Sequence, residues 1–171
     1  MIKIIGIFGL VLFVVLGFKF GTTWWSVWQA ENYDDMLDAL YAHTVPTIKS
    51  QALQAANVHL LDSRSPEEYA VSHLEGAIFF DYANPPFEQL ESVDAEDTIV
   101  VYCSVGYRSE KIGEKLLAMG YKNVFNLYGG IFAWANQQKR IVGPDKQPTR
   151  RLHCYSKTWA KWLDSSLDAV F

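Results

Sequence analysis

Residues 98–109, TIVVYCSVGYRS, decide the fold of this chain. The run from Thr98 to Tyr102 is short, continuous and rich in β-branched side chains, which is typical of a buried parallel strand. From Ser109 to Met119 the apolar side chains recur at helical spacing, which predicts a helix. Cys103 therefore follows the carboxyl end of a strand, in a loop that leads into a helix. Open α/β sheets bind ligands at such a position, where backbone N–H groups and the helix dipole favour an anion, including a thiolate.

Strand and helix signals alternate from residue 45 to residue 138, which predicts a parallel α/β sheet. One helix start is especially clear, because Ser65 is a good cap, Pro66 suits the first turn, and the acidic Glu67 and Glu68 suit the helix dipole. Ser50 is predicted to cap a brief helix as well. The strands are expected at 45–48, 58–61, 77–80, 98–102 and 123–127, and the helices at 51–56, from 66 onward, 87–91, 109–119 and 131–138.

Residues 1–30 differ from the rest of the chain, because they contain two lysines and no acidic residue. The run 4–18 is uncharged and strongly apolar, and a helix that continues to residue 28 would end in an interfacial belt of tryptophans. A small-x-small cleavage pattern is missing, so an uncleaved membrane anchor over residues 4–28 is preferred to a secretory signal or a buried soluble helix. The expected protein is single-pass, with the domain that follows the anchor on the periplasmic side of the membrane.

The remaining segments complete the predicted organisation. Residues 31–44 form a connecting region with a short amphipathic helix at 34–42, and residues 45–140 form the α/β domain. Residues 139–151 contain prolines, Gly143 and several charges, so they are expected to be a linker or surface loop. Residues 156–171 carry apolar side chains on one helical face, which predicts a C-terminal amphipathic helix within the segment 141–171.

Composition excludes some classes of function. The chain is 50% hydrophobic and 20% charged, which is typical of a globular protein. Its net charge of -4, with no basic patch, argues against a nucleic-acid partner. Two cysteines are too few for a disulfide scaffold and lack the spacing of a metal site, so neither a metal nor a cofactor is expected.

Cys103 is the candidate nucleophile. Loop N–H groups, the helix N-terminus and Arg108 could stabilise its thiolate, and Gly106 would let the backbone close around an anion. A buried strand-end cysteine that only packs is the competing interpretation, and position alone does not choose between the two.

Two separated stretches resemble the rhodanese (sulfurtransferase) family. The first, residues 61–77 (LDSRSPEEYAVSHLEGA), is similar to that family's Asp-x-Arg…Glu-Tyr…His-Ile-x-Gly-Ala signature, and the second is the loop 102–109. Behind them, segments within 116–134 resemble the family's closing region. The resemblance implies a doubly wound, five-stranded parallel sheet with helices on both faces. It also implies that Cys103 takes a sulfane sulfur as a persulfide and that the loop N–H groups of Ser104, Val105, Gly106, Tyr107 and Arg108 hold the anion.

The resemblance also implies roles for the residues around Cys103. Asp62 and Arg64 are expected to support the site structurally, His73 is expected to be structural, and Arg108 either contacts an anionic donor or anchors the loop. The span from Cys103 to Arg108 is six residues, as in sulfur-handling members; related phosphatases have one residue more.

The function expected from the resemblance is sulfur transfer from thiosulfate, polysulfide or a persulfide to a thiol or a cyanide-like acceptor. The alternatives are a membrane-tethered persulfide carrier that delivers sulfur to a protein acceptor, and a non-catalytic binding or regulatory module. Cys154 lies outside the matched segments, either as a resolving thiol or as an incidental cysteine.

Overall fold

The computed structural model describes residues 25–53 and 58–171. The elements follow one another in this order: α1 (Tyr33–Leu40), β1 (Thr47–Ile48), a 3-10 turn (Ser50–Ala52), β2 (Val58–Asp62), α2 (Pro66–Val71), β3 (His73–Leu74), β4 (Ile78–Phe79), a second 3-10 turn (Phe87–Leu90), β5 (Thr98–Tyr102), α3 (Tyr107–Ala118), β6 (Asn123–Leu127), α4 (Gly130–Asn136), β7 (Ile141–Val142), β8 (Pro148–Thr149), β9 (Arg151–His153), α5 (Lys157–Ala160) and β10 (Asp168–Val170).

The chain divides into two units, residues 1–40 and 41–171. In the first unit, α1 begins after Asn32, whose Oδ1 accepts the N–H of Asp35 at 2.9 Å, as a helix cap does. The helix lies close to the predicted span 34–42.

The predicted membrane anchor lies, apart from its last few residues, outside the described residues. Within 25–53 and 58–171, no helix has both the length and the apolar character that crossing a bilayer requires. The anchor therefore stays a prediction.

The second unit is built on a parallel sheet, which confirms the α/β fold class. Within the described residues this sheet has five strands in the order β1-β6-β5-β2-β4, and every neighbouring pair is parallel. The central strand β5 is fully buried after Thr98, which explains its unbroken apolar run. The core around it consists of buried aliphatic and aromatic side chains: Val45, Leu61, Phe80, Leu90, Ile99, Val101, Ile112, Leu116 and Val124.

The predicted caps at Ser65 and Ser50 have different outcomes. Ser65 forms a full capping box, because its Oγ accepts the N–H of Glu68 at 3.3 Å and its own N–H donates to Glu68 Oε2 at 3.0 Å. The prediction for Ser50 is wrong: it lies inside a 3-10 turn after Lys49, and its hydroxyl donates to Gln137 Oε1 at 2.7 Å. The Ser50 hydroxyl, which was predicted to cap the helix, therefore binds a side chain that is far away in the sequence.

The segment 139–151 is not a linker, although its turn at residues 144–148 is an exposed surface loop. Ile141 and Val142 are each 2% exposed and pair with β3 in an antiparallel sheet, while β8 returns beside β7. Gly143 begins the tight turn between them, with its N–H donating to Gln147 O at 2.9 Å. The prolines and the glycine thus belong to a hairpin turn rather than to an unstructured connection.

The predicted helix over 156–171 is also wrong. Only Lys157–Ala160 is helical, and Asp168–Val170 forms a strand parallel to β9. Asn136 interrupts the helix, since its Nδ2 donates to Trp162 O at 2.8 Å and its Oδ1 accepts the N–H of Asp164 at 2.9 Å. The chain then turns at Asp164, whose Oδ1 accepts the N–H of Ser166 at 2.8 Å.

Candidate active site

Cys103 directly follows the central strand β5, between β2 and β6. Its side chain is almost completely buried, with 1% of the residue exposed. The sulfur accepts a hydrogen bond from the N–H of Gly106 at 3.1 Å. The loop therefore bends back over the cysteine and directs a backbone donor at its sulfur.

Three consecutive carbonyl groups of the loop are held on its outer side. Cys103 O accepts the N–H of Ile131 at 2.9 Å, and Ser104 O accepts the N–H of Phe132 at 3.1 Å. Val105 O accepts the hydroxyl of Tyr41 at 2.7 Å. The first turn of α4 and one tyrosine thus fix three successive peptide groups.

Peptide planarity relates the N–H groups that follow to these fixed carbonyls, and one of them, the Gly106 N–H, contacts the Cys103 sulfur. In a trans peptide the C=O and the following N–H point in opposite directions, so the N–H groups of Ser104, Val105 and Gly106 face away from the fixed carbonyls. Successive N–H groups directed into one concavity are a binding site for an anion. Gly106 closes this concavity with a φ of 111°, a conformation that favours glycine.

Gly130 lets α4 approach the loop. A β-carbon at this position would lie 2.3 Å from Cys103 O and 2.7 Å from Ser104 O. Its φ of 57° is also in the left-handed region. The glycine pair 129–130 is therefore part of the site, since it brings the N–H groups of α4 to the loop carbonyls.

Arg108 binds a carboxylate from α2. Its Nη1 donates to Glu68 Oε2 at 2.7 Å and its Nη2 to Glu68 Oε1 at 2.8 Å, while Nη2 also reaches Ser104 Oγ at 3.0 Å. Ser104 Oγ donates to Glu68 Oε1 at 2.8 Å. This arrangement anchors the loop to α2, the second of the two roles expected for Arg108.

Glu68 is held as a carboxylate although it is buried. Burial by itself would raise its pKa, but the hydrogen bonds and charge of Arg108, with the Ser65 N–H and the Ser104 hydroxyl, lower the pKa to about 2. The pKa of Arg108 is raised, because Glu68 and the nearby Cys103 side chain outweigh the effect of its burial. The site thus contains one buried ion pair beside the cysteine.

Asp62 and Arg64 form a second buried ion pair, at the end of β2. Arg64 Nε donates to Asp62 Oδ1 at 2.9 Å and Nη2 to Oδ2 at 2.6 Å, and Tyr102 Oη also donates to Oδ2 at 2.7 Å. Arg64 Nη2 reaches Ser72 O at 2.6 Å as well. These contacts join β2, β5 and the end of α2, and none of them involves the loop 103–108.

Among the side chains that contact the loop or its Arg108, three were not predicted as site residues from the sequence: Tyr41, Glu68 and Asn126. Asn126 on β6 donates from Nδ2 to Gly106 O at 2.9 Å and accepts the hydroxyl of Ser109 at 2.7 Å. Of the three, only Glu68 could have been predicted from the sequence, because it lies in the segment 61–77 that resembles the family signature. Tyr41 and Asn126 reach the loop by tertiary contact alone.

His73 and Cys154 have contacts of their own elsewhere. The His73 ring stacks on Tyr69 with centroids 4.0 Å apart, and its Nδ1 lies 3.1 Å from Tyr69 O. Cys154 Sγ donates to Leu152 O at 3.3 Å, and burial raises the pKa of this thiol. Both cysteines are free thiols in the part of the chain that the structure describes, where no His, Cys, Asp and Glu cluster suited to a metal occurs either.

Comparison with known proteins agrees with this architecture. Curated proteins named tRNA uridine(34) hydroxylase, from Yersinia enterocolitica and Yersinia pestis, are 35% and 34% identical over 95 residues. The match covers 53% of this chain but only 27% of each relative, so the chain spans about a quarter of the length of these curated proteins.

Two solved structures share the fold. A rhodanese-like domain from Anabaena sp. superposes with a TM-score of 0.53 at 21% identity, covering 57% of this chain and 79% of that domain. A thiosulfate sulfurtransferase from Pseudomonas aeruginosa gives a TM-score of 0.53 at 24% identity, covering 69% of this chain and 23% of that protein. A family model described as "Rhodanese-like domain" matches residues 46–137, which is more than half of the sequence. This chain therefore belongs to the rhodanese-like domain family.

Proposed function

We propose that the chain is a sulfurtransferase that carries sulfane sulfur as a persulfide on Cys103. The observation that carries the proposal is the hydrogen bond from the Gly106 N–H to the Cys103 sulfur, at 3.1 Å. The same concavity of N–H groups would hold a terminal persulfide sulfur, which is an anion.

Sulfur transfer proceeds in two displacements. The Cys103 thiolate attacks the sulfane sulfur of a persulfide, polysulfide or thiosulfate donor, and the donor S–S bond breaks, with its electron pair leaving on the thiolate or sulfite product. An acceptor thiolate or cyanide then attacks the terminal sulfur of the Cys103 persulfide. The S–S bond to Cys103 breaks and its electron pair regenerates the thiolate. No external oxidant or reductant is needed.

The charge around the loop favours some donors over others. Glu68 neutralises Arg108 through two hydrogen bonds, and Ser104, Val105 and Tyr107 add no positive charge to the loop. A dianion such as thiosulfate gains little electrostatic attraction at such a site. A protein persulfide, which presents a single anionic sulfur, is therefore the preferred donor class.

A persulfide carrier is the second candidate. Cys103 is only 1% exposed, so a persulfide formed on it would be shielded from water and from bulky thiols. A carrier would load readily and turn over slowly with small acceptors, and rapidly with one protein acceptor. A nucleic-acid substrate, as in the name of the curated relatives, is not proposed, because the net charge of this chain is -4.

Steady-state sulfur transfer tests the proposal. The full chain is incubated with polysulfide or thiosulfate as donor and with cyanide or a small thiol as acceptor, and product formation is compared with that of Cys103→Ser. We expect turnover with at least one donor, abolished in the variant, while Cys154→Ser retains it. Loading without turnover favours the carrier, and equal product formation by Cys103→Ser contradicts both.

A further inference from the structure

Tyr41 lies five residues before the segment that matches the rhodanese-like family, yet its hydroxyl contacts the candidate active-site loop. Tyr41 is 6% exposed. Its Oη donates to Val105 O at 2.7 Å and accepts the N–H of Gly129 at 2.9 Å. One hydroxyl thus joins the loop after β5 to the turn before α4.

The carbonyl that Tyr41 holds belongs to the peptide group that faces the sulfur. Val105 C=O and Gly106 N–H are the two ends of one planar trans peptide, so they point in opposite directions. The Gly106 N–H donates to Cys103 Sγ at 3.1 Å. Rotation of this peptide would carry the donor away from the sulfur, and the bond from Tyr41 opposes that rotation.

The tyrosine ring also fits closely against Gly106. A β-carbon on Gly106 would lie 2.1 Å from Tyr41 Oη and 2.5 Å from its Cζ, so the ring occupies the space that any other residue at 106 would need. The hydroxyl remains protonated, because burial raises the pKa of Tyr41 far more than the Gly129 N–H lowers it. The Tyr41 hydroxyl therefore keeps its proton and donates to Val105 O across the pH range in which the protein is studied.

The segment around Tyr41 is itself fixed to α3. The N–H groups of Ala42 and Thr44 donate to the two carboxylate oxygens of Glu110, each at 2.9 Å. Glu110 is 1% exposed and lies in the first turn of α3, immediately after the loop. Glu110 therefore attaches the segment 41–44 to the helix that follows the loop.

We propose that Tyr41 is a positioning residue that aims the Gly106 N–H at the Cys103 sulfur by holding the opposite end of the same peptide. It acts on both the free thiolate and a persulfide, and it does not touch the donor or the acceptor. Its use in sulfur transfer rests on the proposed function, whereas its effect on the Cys103 thiolate does not.

The test removes only the hydroxyl, with Tyr41→Phe, in the full chain carrying Cys154→Ser. The matched control is Tyr121→Phe, because Tyr121 Oη also donates to one backbone carbonyl, that of Leu90 at 2.8 Å, outside the loop. Thiolate absorbance is titrated against pH, with the corresponding Cys103→Ser protein subtracted, and thermal unfolding is recorded for each variant.

In Tyr41→Phe the peptide that carries the Gly106 N–H is no longer held, so we expect a loss of thiolate relative to thiol at Cys103 at a given pH. Tyr121→Phe should lose comparable thermal stability with no change in that ratio. An unchanged ratio in Tyr41→Phe, or an equal change in both variants, overturns the proposal.

A second measurement needs no variant at Tyr41. In the unsubstituted chain, ionisation of Cys103 should move the Gly106 amide proton signal and, through the same peptide, the Tyr41 hydroxyl proton signal. A Gly106 signal that moves while the Tyr41 signal stays fixed overturns the proposal. Because neither measurement uses a sulfur donor, failure to load sulfur would refute the proposed function and leave this inference standing.

Discussion

Arg108 and Glu68 form a two-point ion pair, with guanidinium-to-carboxylate distances of 2.7 and 2.8 Å. The pair links the last residue of the candidate active-site loop to α2, and the side chain of Glu68 is 1% exposed. Two parallel hydrogen bonds between charged groups fix orientation as well as distance. Arg108 therefore anchors the loop to α2.

Glu68→Gln should destabilise the domain strongly, because it leaves the Arg108 charge, whose side chain is only 21% exposed, with a neutral partner. Breaking a buried pair costs about 3 kcal/mol of unfolding free energy. Denaturant unfolding at neutral pH measures this loss. Glu96→Gln is the matched control, since Glu96 pairs with Lys122 with both side chains 64% exposed, and solvent screens such surface pairs so that their loss changes stability little.

The same carboxylate predicts how stability depends on pH. The pKa of Glu68 is about 2 in the fold against 4.5 ordinarily, so the unfolded chain binds its proton first as pH falls. The stabilisation is complete above pH 4.5 and is lost as pH falls from there towards 2. Glu68→Gln should lack this part of the acid sensitivity when unfolding is measured across that range. Parallel curves for the two proteins would contradict the assignment.

Gly130→Ala should disable the loop. The added β-carbon would lie 2.3 Å from Cys103 O, so either α4 or the loop must move. We expect loss of sulfur loading on Cys103, measured by mass. Gly76→Ala is the control, because Gly76 has a φ of 80° with nothing within 4 Å of the added carbon. It should cost about 1 kcal/mol in backbone strain while loading persists. Equal loading in both variants would show that the close contact is unimportant.

Asp62→Asn should destabilise the domain without changing the loop directly. Asp62 accepts from Arg64 and from Tyr102, and the charges of the Asp62–Arg64 pair are fully buried. The expected loss of unfolding free energy is about 3 kcal/mol, by the cost of a broken buried pair. Sulfur loading per folded molecule, measured well below the unfolding temperature, should remain. Abolished loading in a folded Asp62→Asn protein would instead give Asp62 a direct part in the chemistry.

The sequence predicted the features that depend on local patterns. The strand Asn123–Leu127 has the predicted bounds, and the cap at Ser65 forms as expected, because each follows from neighbouring residues. The predicted C-terminal helix failed because Asn136, far away in the chain, binds the backbone at Trp162 and Asp164. These hydrogen bonds from Asn136 depend on the tertiary fold, so the local sequence around residues 156–171 does not predict them.

In the candidate site too, local patterns predicted some features, whereas others depend on tertiary contacts. Cys103 and the glycine of its loop follow from the strand–loop–helix pattern and from the family resemblance. The pairing of Glu68 with Arg108 spans 40 positions, and that of Tyr41 with Val105 spans 64, so periodicity could not reveal either. The resemblance pointed to Cys103 as the candidate nucleophile, whereas the structure was needed to find the groups that surround it.

The most direct test of persulfide chemistry at Cys103 is the intact mass of the full chain after incubation with polysulfide. The account predicts a gain equal to one sulfur atom, retained in Cys154→Ser, absent in Cys103→Ser and reversed by cyanide. No gain with any sulfane donor, or the same gain in Cys103→Ser, would contradict it.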